Sequence, residues 1–312
     1  MKKFIYSALF LATTSACLLS CSNDEPDKTS IITVGQTVQT PLDKWLKANY
    51  VDPYNIRFKY RYVDNEGDMN YFTIPAKYED AVKMAHLIKY LCIEAYDEVG
   101  GVGFTRSVFP KLIYCIGEFE YRNNGTIILG TAENGKKILM TGSNYITTYE
   151  HDIEQLNHFY FKTIHHEFTH ILNQNKDYPA AFKLITGSAY VSDSWSTHPY
   201  DGYNTDRDQK NGVANNYCYL HGFITPYSQH SDVEDIAELL STYVVNTKAE
   251  WDRMVALGGT NGGALITSKM DIVKRYMKTA WNIDLDALRD VVQRRQADVA
   301  AGKIDITDLT VK

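Results

Sequence analysis

Two rhythms of apolar residues divide the chain. In residues 159–175, Ile164, Phe168, Ile171 and Leu172 are spaced by four, three and one, which suits an amphipathic helix with one buried face. The same period runs through residues 78–96, with Ala81, Met84, Ala85, Leu87, Ile88, Leu91 and Ala95 on the apolar side. A shorter helix begins at Pro41, and the helical period returns over residues 234–245. Residues 264–299 read as two more helices, the second built on Leu285, Leu288, Val291 and Val292. Alternation marks the strands. Over residues 55–63 it puts Ile56, Phe58, Tyr60 and Tyr62 on one side, and turn chemistry at 64–68 predicts a hairpin with a returning strand at 71–75. Residues 111–116, 126–130 and 137–141 read as three further strands, with turns at 123–125 and 133–135.

Between these elements the periodicity fails in two places. Residues 186–230 are rich in Gly, Ser, Asn, Asp and Tyr, and a loop this long in a compact domain tends to be a lid or a binding loop. Within it Tyr190, Trp195, Tyr200, Tyr203, Tyr217 and Tyr219 either line a cleft or cover the core. Residues 258–263 hold four glycines and read as a flexible break, not a phosphate loop, since no Lys-Ser or Lys-Thr follows. The order of elements predicts an α+β fold: a small mixed sheet packed on the helix at 159–175, then a mainly helical part from about 232 to 312.

Composition narrows the function classes. The 312 residues are 44% hydrophobic and 22% charged, ordinary for a globular chain, and a net charge of −6 leaves no basic footprint for nucleic acid. Met1-Lys2-Lys3 followed by an apolar run from Phe4 to Leu19 reads as a secretory signal, too short for an ordinary membrane span. The sequence Leu18-Leu19-Ser20-Cys21 resembles a bacterial lipobox, which implies a signal peptide over 1–20, a lipidated Cys21 and a polar tether over 21–32 ahead of a domain at 33–312. Acidic residues just after Cys21 resemble the export tags of surface lipoproteins, so the expected location is the outer membrane, facing the cell surface. Cys92, Cys115 and Cys218 have no metal-finger spacing and read as small buried hydrophobes. His86 has no partner nearby and reads as structural.

The chemistry is carried by His165-His166-Glu167-Phe168-Thr169-His170. On a helix His166 and His170 share a face one turn apart and can hold one zinc ion, while Glu167 sits beside the metal as a general base. This is the HExxH pattern of zinc hydrolases. A catalytic zinc site needs a third protein ligand. The HExxHxxGxxH extension is excluded by Asn173 and Lys176. Glu234 is the leading candidate, with Glu238 one turn on as the partner of a ligand histidine. Ser231 and Glu234 also fit a helix capping box, and His198, Asp201, His221 and His230 remain rival ligands. A sheet edge at 129–132 or 139–142 can pair with an extended substrate.

HEFTH followed by Glu234-Asp235-Ile236-Ala237-Glu238 resembles the gluzincin arrangement of anthrax lethal factor-like domains. That resemblance implies Glu234 as zinc ligand and a tyrosine seven residues earlier, here Tyr227, as donor to the oxyanion. The spacing from His170 to Glu234 is longer than in those toxins. More of the chain resembles the zinc-binding metallopeptidase lipoproteins encoded with starch-utilisation-type import pairs, through residues 50–56, 129–133, the HExxH helix and 281–284. It implies a zincin-like fold, a peptide or glycopeptide substrate and an outer-membrane transporter with its binding lipoprotein as partners. The alternative is a lipoprotein that captures glycan or peptide without turning it over.

Overall fold

A computed structural model describes residues 38–311 except 64–65, 67, 69, 123–125, 134–135 and 197–217. The signal, Cys21, the tether, His198, Tyr200, Asp201, Tyr203 and Tyr217 lie outside the described residues, and Thr40–Lys312 form one compact unit.

Helix α1 (Pro41–Leu46) starts where expected because Thr40 and Asp43 form a capping box around a proline in its first turn. The periodic stretch after residue 78 becomes α2 (Tyr78–Ile88), a π-helical stretch (Lys89–Ile93) and α3 (Glu94–Gly100), running on without a break. Gly101, at φ +80°, turns the chain into α4 (Val102–Val108).

The strands β1 (Arg57–Lys59), β2 (Leu112–Cys115), β5 (Gly130–Glu133) and β6 (Lys137–Met140) form one sheet in the order β1-β2-β6-β5. β1, β2 and β6 are parallel, with Phe58 beside Ile113 and Ile113 beside Ile138. All of β6 is buried, as a parallel strand covered on both faces should be. β5 is antiparallel and closes one edge. The expected strand at 126–130 is split: β4 (Ile127–Ile128) folds back on β3 (Glu120–Tyr121), and Gly130 already belongs to β5. Of the two candidate edges, 139–142 is therefore interior and only the stretch around β5 is at the rim.

The hairpin expected between residues 55–63 and 71–75 does not form. β1 pairs with β2 across the α2–α4 crossover, and only a single bridge joins Pro75 to Ile116. The alternating side explains why. Ile56, Phe58 and Tyr60 are buried in the core, whereas Phe72 on the supposed return strand is 89% exposed, so long-range burial overrides the local turn signal.

The C-terminal part is helical as expected: α5 (Lys162–Asn175), then α6 (Asp232–Val245), α7 (Lys248–Leu257), α8 (Gly259–Trp281) and α9 (Leu285–Ala300). α5 is entered through a π-helical stretch, Asn157–Phe161, and packs directly on α6. The glycine run at 258–263 is not a flexible break. Gly258 caps α7 and α8 begins at Gly259; a Cβ on Gly262 would lie 2.0 Å from the Tyr219 carbonyl oxygen, and one on Gly263 2.6 Å from that of Val255. These glycines let helix and backbone touch. The whole is a mixed α+β fold, a small sheet on one side of α5 and helices on the other.

Candidate metal centre

His166 and His170 project from the same face of α5, their rings 4.7 Å apart and nearly perpendicular, with Nε2 atoms 3.0 Å from each other. The start of α6 supplies the third group. Ser231 caps that helix by accepting from the Glu234 amide at 3.4 Å, so half of the capping box is present. The other half is missing because the Glu234 side chain turns to the histidines, its Oε2 lying 3.0 Å from His166 Nε2 and 3.2 Å from His170 Nε2. These three donor atoms lie within 4.8 Å of one another, and among the described residues theirs is the one such group of histidine, cysteine or carboxylate ligands.

The donor set fits zinc. Two imidazoles and a carboxylate are its ordinary three-ligand catalytic complement, and separations of 3.0–3.2 Å are close to the roughly 3.3 Å edge of a tetrahedron with 2.0–2.1 Å arms. The electrostatics point the same way. Burial disfavours charge on His166, yet the carboxylates of Glu234 and Glu238 outweigh it and push its pKa up to about 10. Burial raises Glu234 as well, but the two histidines hold it well below the usual carboxylate range. Positive charge is strongly favoured between these side chains, and a cation there satisfies all three.

Glu238, one turn along α6, faces the other nitrogen of His166: its Oε1 is 2.8 Å from Nδ1, though off the ideal hydrogen-bonding angle. Its Oε2 accepts from Lys162 Nζ at 2.5 Å and from the Thr225 hydroxyl at 2.6 Å. Glu238 is thus fixed on three sides and can orient the imidazole. Glu167 is buried; burial is the largest influence on its pKa and raises it, and the backbone of Ala132 in β5 is among the groups that lower it.

Tyr227 opens a short 3-10 turn (Tyr227–Gln229) just before α6. Its ring stacks on His166 at 6.0 Å and meets Trp195 edge-on at 4.9 Å. Burial first, then Glu234 and Glu238, raise its phenol pKa well above the ordinary value. Trp195 therefore belongs to the site, whereas Tyr190 packs on Phe223 and Tyr219 is buried in the core. Among the rivals for third ligand, His230 lies 3.3 Å from Asp193 and from the Ser231 hydroxyl, and neither it nor His221 is in the ligand group. His198 and Asp201 lie outside the described residues. The three described cysteines are free and buried.

Two features behind the site escaped sequence reasoning. His165, the extra histidine before the motif, is fully buried with Nδ1 3.0 Å from the Tyr96 hydroxyl, and burial pushes its pKa down to about 3, so it is neutral. Lys269 of α8 is also fully buried and pairs at 2.5 Å with Asp235, the neighbour of Glu234; Tyr190 donates to the same carboxylate at 2.8 Å. A signal existed: Lys269 falls on the apolar stripe Ile266, Met270, Val273, where a lysine needs a buried partner.

Comparison with known proteins gives the family. A family model described as "Putative zinc-binding metallo-peptidase" matches residues 35–286. A solved structure from Bacteroides caccae, described in the same words, is 34% identical, with a TM-score of 0.71 over 90% of this chain and 100% of its own. No curated protein matches. The family model spans well over half of the sequence, and the chain belongs to the family so described.

Proposed function

We propose that the protein is a zinc peptidase of the HExxH…Glu, gluzincin type on a zincin-like fold. His166, His170 and Glu234 hold the metal, Glu167 is the general base and then acid, and Tyr227 donates to the oxyanion. The observation that carries this reading is the turn of Glu234 away from its own helix cap and onto both histidines. Zinc bound there supplies Lewis-acid polarisation of a carbonyl and lowers the pKa of a water. Glu167, one residue from His166 and buried, takes the proton from the attacking water and returns it to the leaving amine. Tyr227, stacked on His166, keeps its proton at neutral pH and offers the hydroxyl to the developing oxyanion. Glu238 and Lys162 hold His166 in its orientation. β5, at the sheet edge with Ala132 beside the base, suits an extended peptide laid alongside it. We further propose a peptide or glycopeptide substrate met outside the cytoplasm. The protein is anchored in the outer membrane through Cys21 and works with an import transporter and its binding lipoprotein.

The test is turnover by variants that keep the metal. Glu167→Gln preserves size but cannot accept the proton, so hydrolysis of peptides should fall by roughly 10²-fold or more with zinc still stoichiometric. Tyr227→Phe should fall by roughly 10- to 10³-fold, again with zinc retained. Equal hydrolysis by wild type and Glu167→Gln would remove the proposed mechanism. Zinc-loaded wild type that binds peptide without cleaving it would favour a capture protein.

A further inference from the structure

Beyond His170 the metal centre opens into a cleft of about 780 Å³, running between the end of α5, the segment that follows it and the first turn of α6. Ala132, Ala180 and Val233 give it apolar walls, and Asn173, Gln174, Asp177 and Tyr178 add polar groups beside the metal ligands His170 and Glu234. Lysine and arginine are absent from its described lining. The nearby cations are committed elsewhere. Lys176 Nζ bonds the Ala280 carbonyl and lies 4.2 Å over the Trp281 ring, while Lys183 sits 3.5 Å from Asp232. Asp232 is further engaged by the Tyr178 hydroxyl at 2.8 Å. Asp177 is different: it is exposed, lines the cleft, and has no ion-pair partner among the described residues.

Other features give the cleft a negative field. It lies at the C-terminal end of α5, where the last carbonyls carry partial negative charge. Asp232, Glu234 and Asp235 offset the positive end of α6. The charges of Glu167 and Glu234 balance those of a divalent metal, so the centre itself does not repel a cation.

A second, independent observation is Asn173. It follows His170 by three residues on the ligand face of α5, and it lines the cleft. Both its carboxamide oxygen and its nitrogen are buried without a hydrogen-bond partner among the described residues, a costly state that a ligand can relieve.

We propose that this cleft is a side-chain pocket for a basic substrate residue, lysine or arginine. The apolar walls take the methylene stem, Asp177 pairs with the cationic head, and the Asn173 oxygen accepts one of its N–H groups. The assignment rests on the peptidase reading above, and it adds the class of peptide this site selects.

The experiment uses full-length zinc-loaded protein and peptide libraries varied one position at a time, with cleavage read by mass spectrometry. Wild type should favour Lys or Arg at one position near the scissile bond over norleucine by roughly fivefold in kcat/KM, the scale of a partly exposed ion pair. Asp177→Asn should erase that preference and Asp177→Lys should turn it towards Glu, with zinc content unchanged as the check on the fold. In parallel, fluorescein-labelled peptides carrying Lys, norleucine or Glu are titrated into Glu167→Gln protein and its Asp177→Lys double variant. There Lys peptides should bind tighter only when Asp177 is present. Cleavage with no basic preference, or a preference that survives Asp177→Lys, overturns the pocket and leaves the peptidase reading standing. Asp177-dependent binding of Lys peptides with no cleavage by wild type supports the pocket and overturns the peptidase reading. Absence of both cleavage and selective binding overturns the two together.

Discussion

Glu234 sits where two demands meet, since the residue three past a serine cap ordinarily reaches back to the cap's own amide. Here Ser231 still caps through its hydroxyl, while the carboxylate lies 3.0 Å from one histidine and 3.2 Å from the other. The two roles can be separated by substitution. Glu234→Ala should purify with a small fraction of the zinc carried by wild type, because two imidazoles alone hold the ion poorly. Ser231→Ala should lose about 1 kcal/mol of stability with zinc near stoichiometric, as expected for a lost N-cap. Metal analysis after dialysis, together with denaturant unfolding, reads both; full zinc in Glu234→Ala would transfer the ligand role to another residue. At this scale the sequence was informative wherever helical spacing settles geometry, as for His166, Glu167 and His170. Spacing could not say which way Glu234 points, because cap and ligand use the same position. Nor could it reveal that β5, with Ala132, packs beside the helix that carries Glu167, a proximity made across the fold.

At the scale of elements, the position of Glu234 depends on how α6 is held, and one contact holding it is a buried ion pair. Lys269 and Asp235 are both fully buried, 2.5 Å apart, and the same ammonium bonds the Gly222 carbonyl at 3.0 Å and lies 4.1 Å over the Phe223 ring. Lys269 thereby ties α8 to α6 and to the segment leading to Tyr227. Removing one partner leaves a buried charge uncompensated, which is far worse than removing both. Lys269→Met should therefore lower unfolding free energy by about 3–5 kcal/mol, while Lys269→Met with Asp235→Asn should recover a substantial part of that loss. Chemical denaturation of zinc-loaded protein checks this, and equal stability of the single and double variants would mean the pair contributes nothing through its charge. The helices were legible because an apolar stripe repeats locally every three or four residues. The hairpin at 55–75 and the glycine run at 258–263 were misread for the opposite reason. Their outcomes are set by distant partners, β2 for the first and the backbone of residues 219–220 and 255 for the second.

At the scale of the whole molecule, the domain just described is preceded by residues that are read from their sequence alone. The family match begins at residue 35 and the described structure at residue 38. No helix among the described residues is long and apolar enough to cross a membrane. The membrane attachment proposed here thus rests on Leu18-Leu19-Ser20-Cys21 and the apolar run before it. That run, from Phe4 to Leu19, falls short of the roughly 20 residues a spanning helix needs, so cleavage and lipidation at Cys21 are the proposed means of anchoring. Acyl chains bury many methylenes, each contributing about 0.8 kcal/mol, and more than one chain gives a stable anchor. Cys21→Ser should accordingly shift the protein from the membrane fraction to a soluble or unprocessed form, while Cys17→Ser, at the cysteine inside the apolar run and after the poorer match Thr14-Ser15-Ala16, should leave it with the membrane. Fractionation of cells expressing each variant, with the mature N-terminus read by mass spectrometry, makes the comparison. A Cys21→Ser protein still found with the membrane at the mature mass would remove the lipid anchor. The outer-membrane location and the import partnership would then lose their basis, while the metal centre, built entirely within residues 162–238, would be untouched.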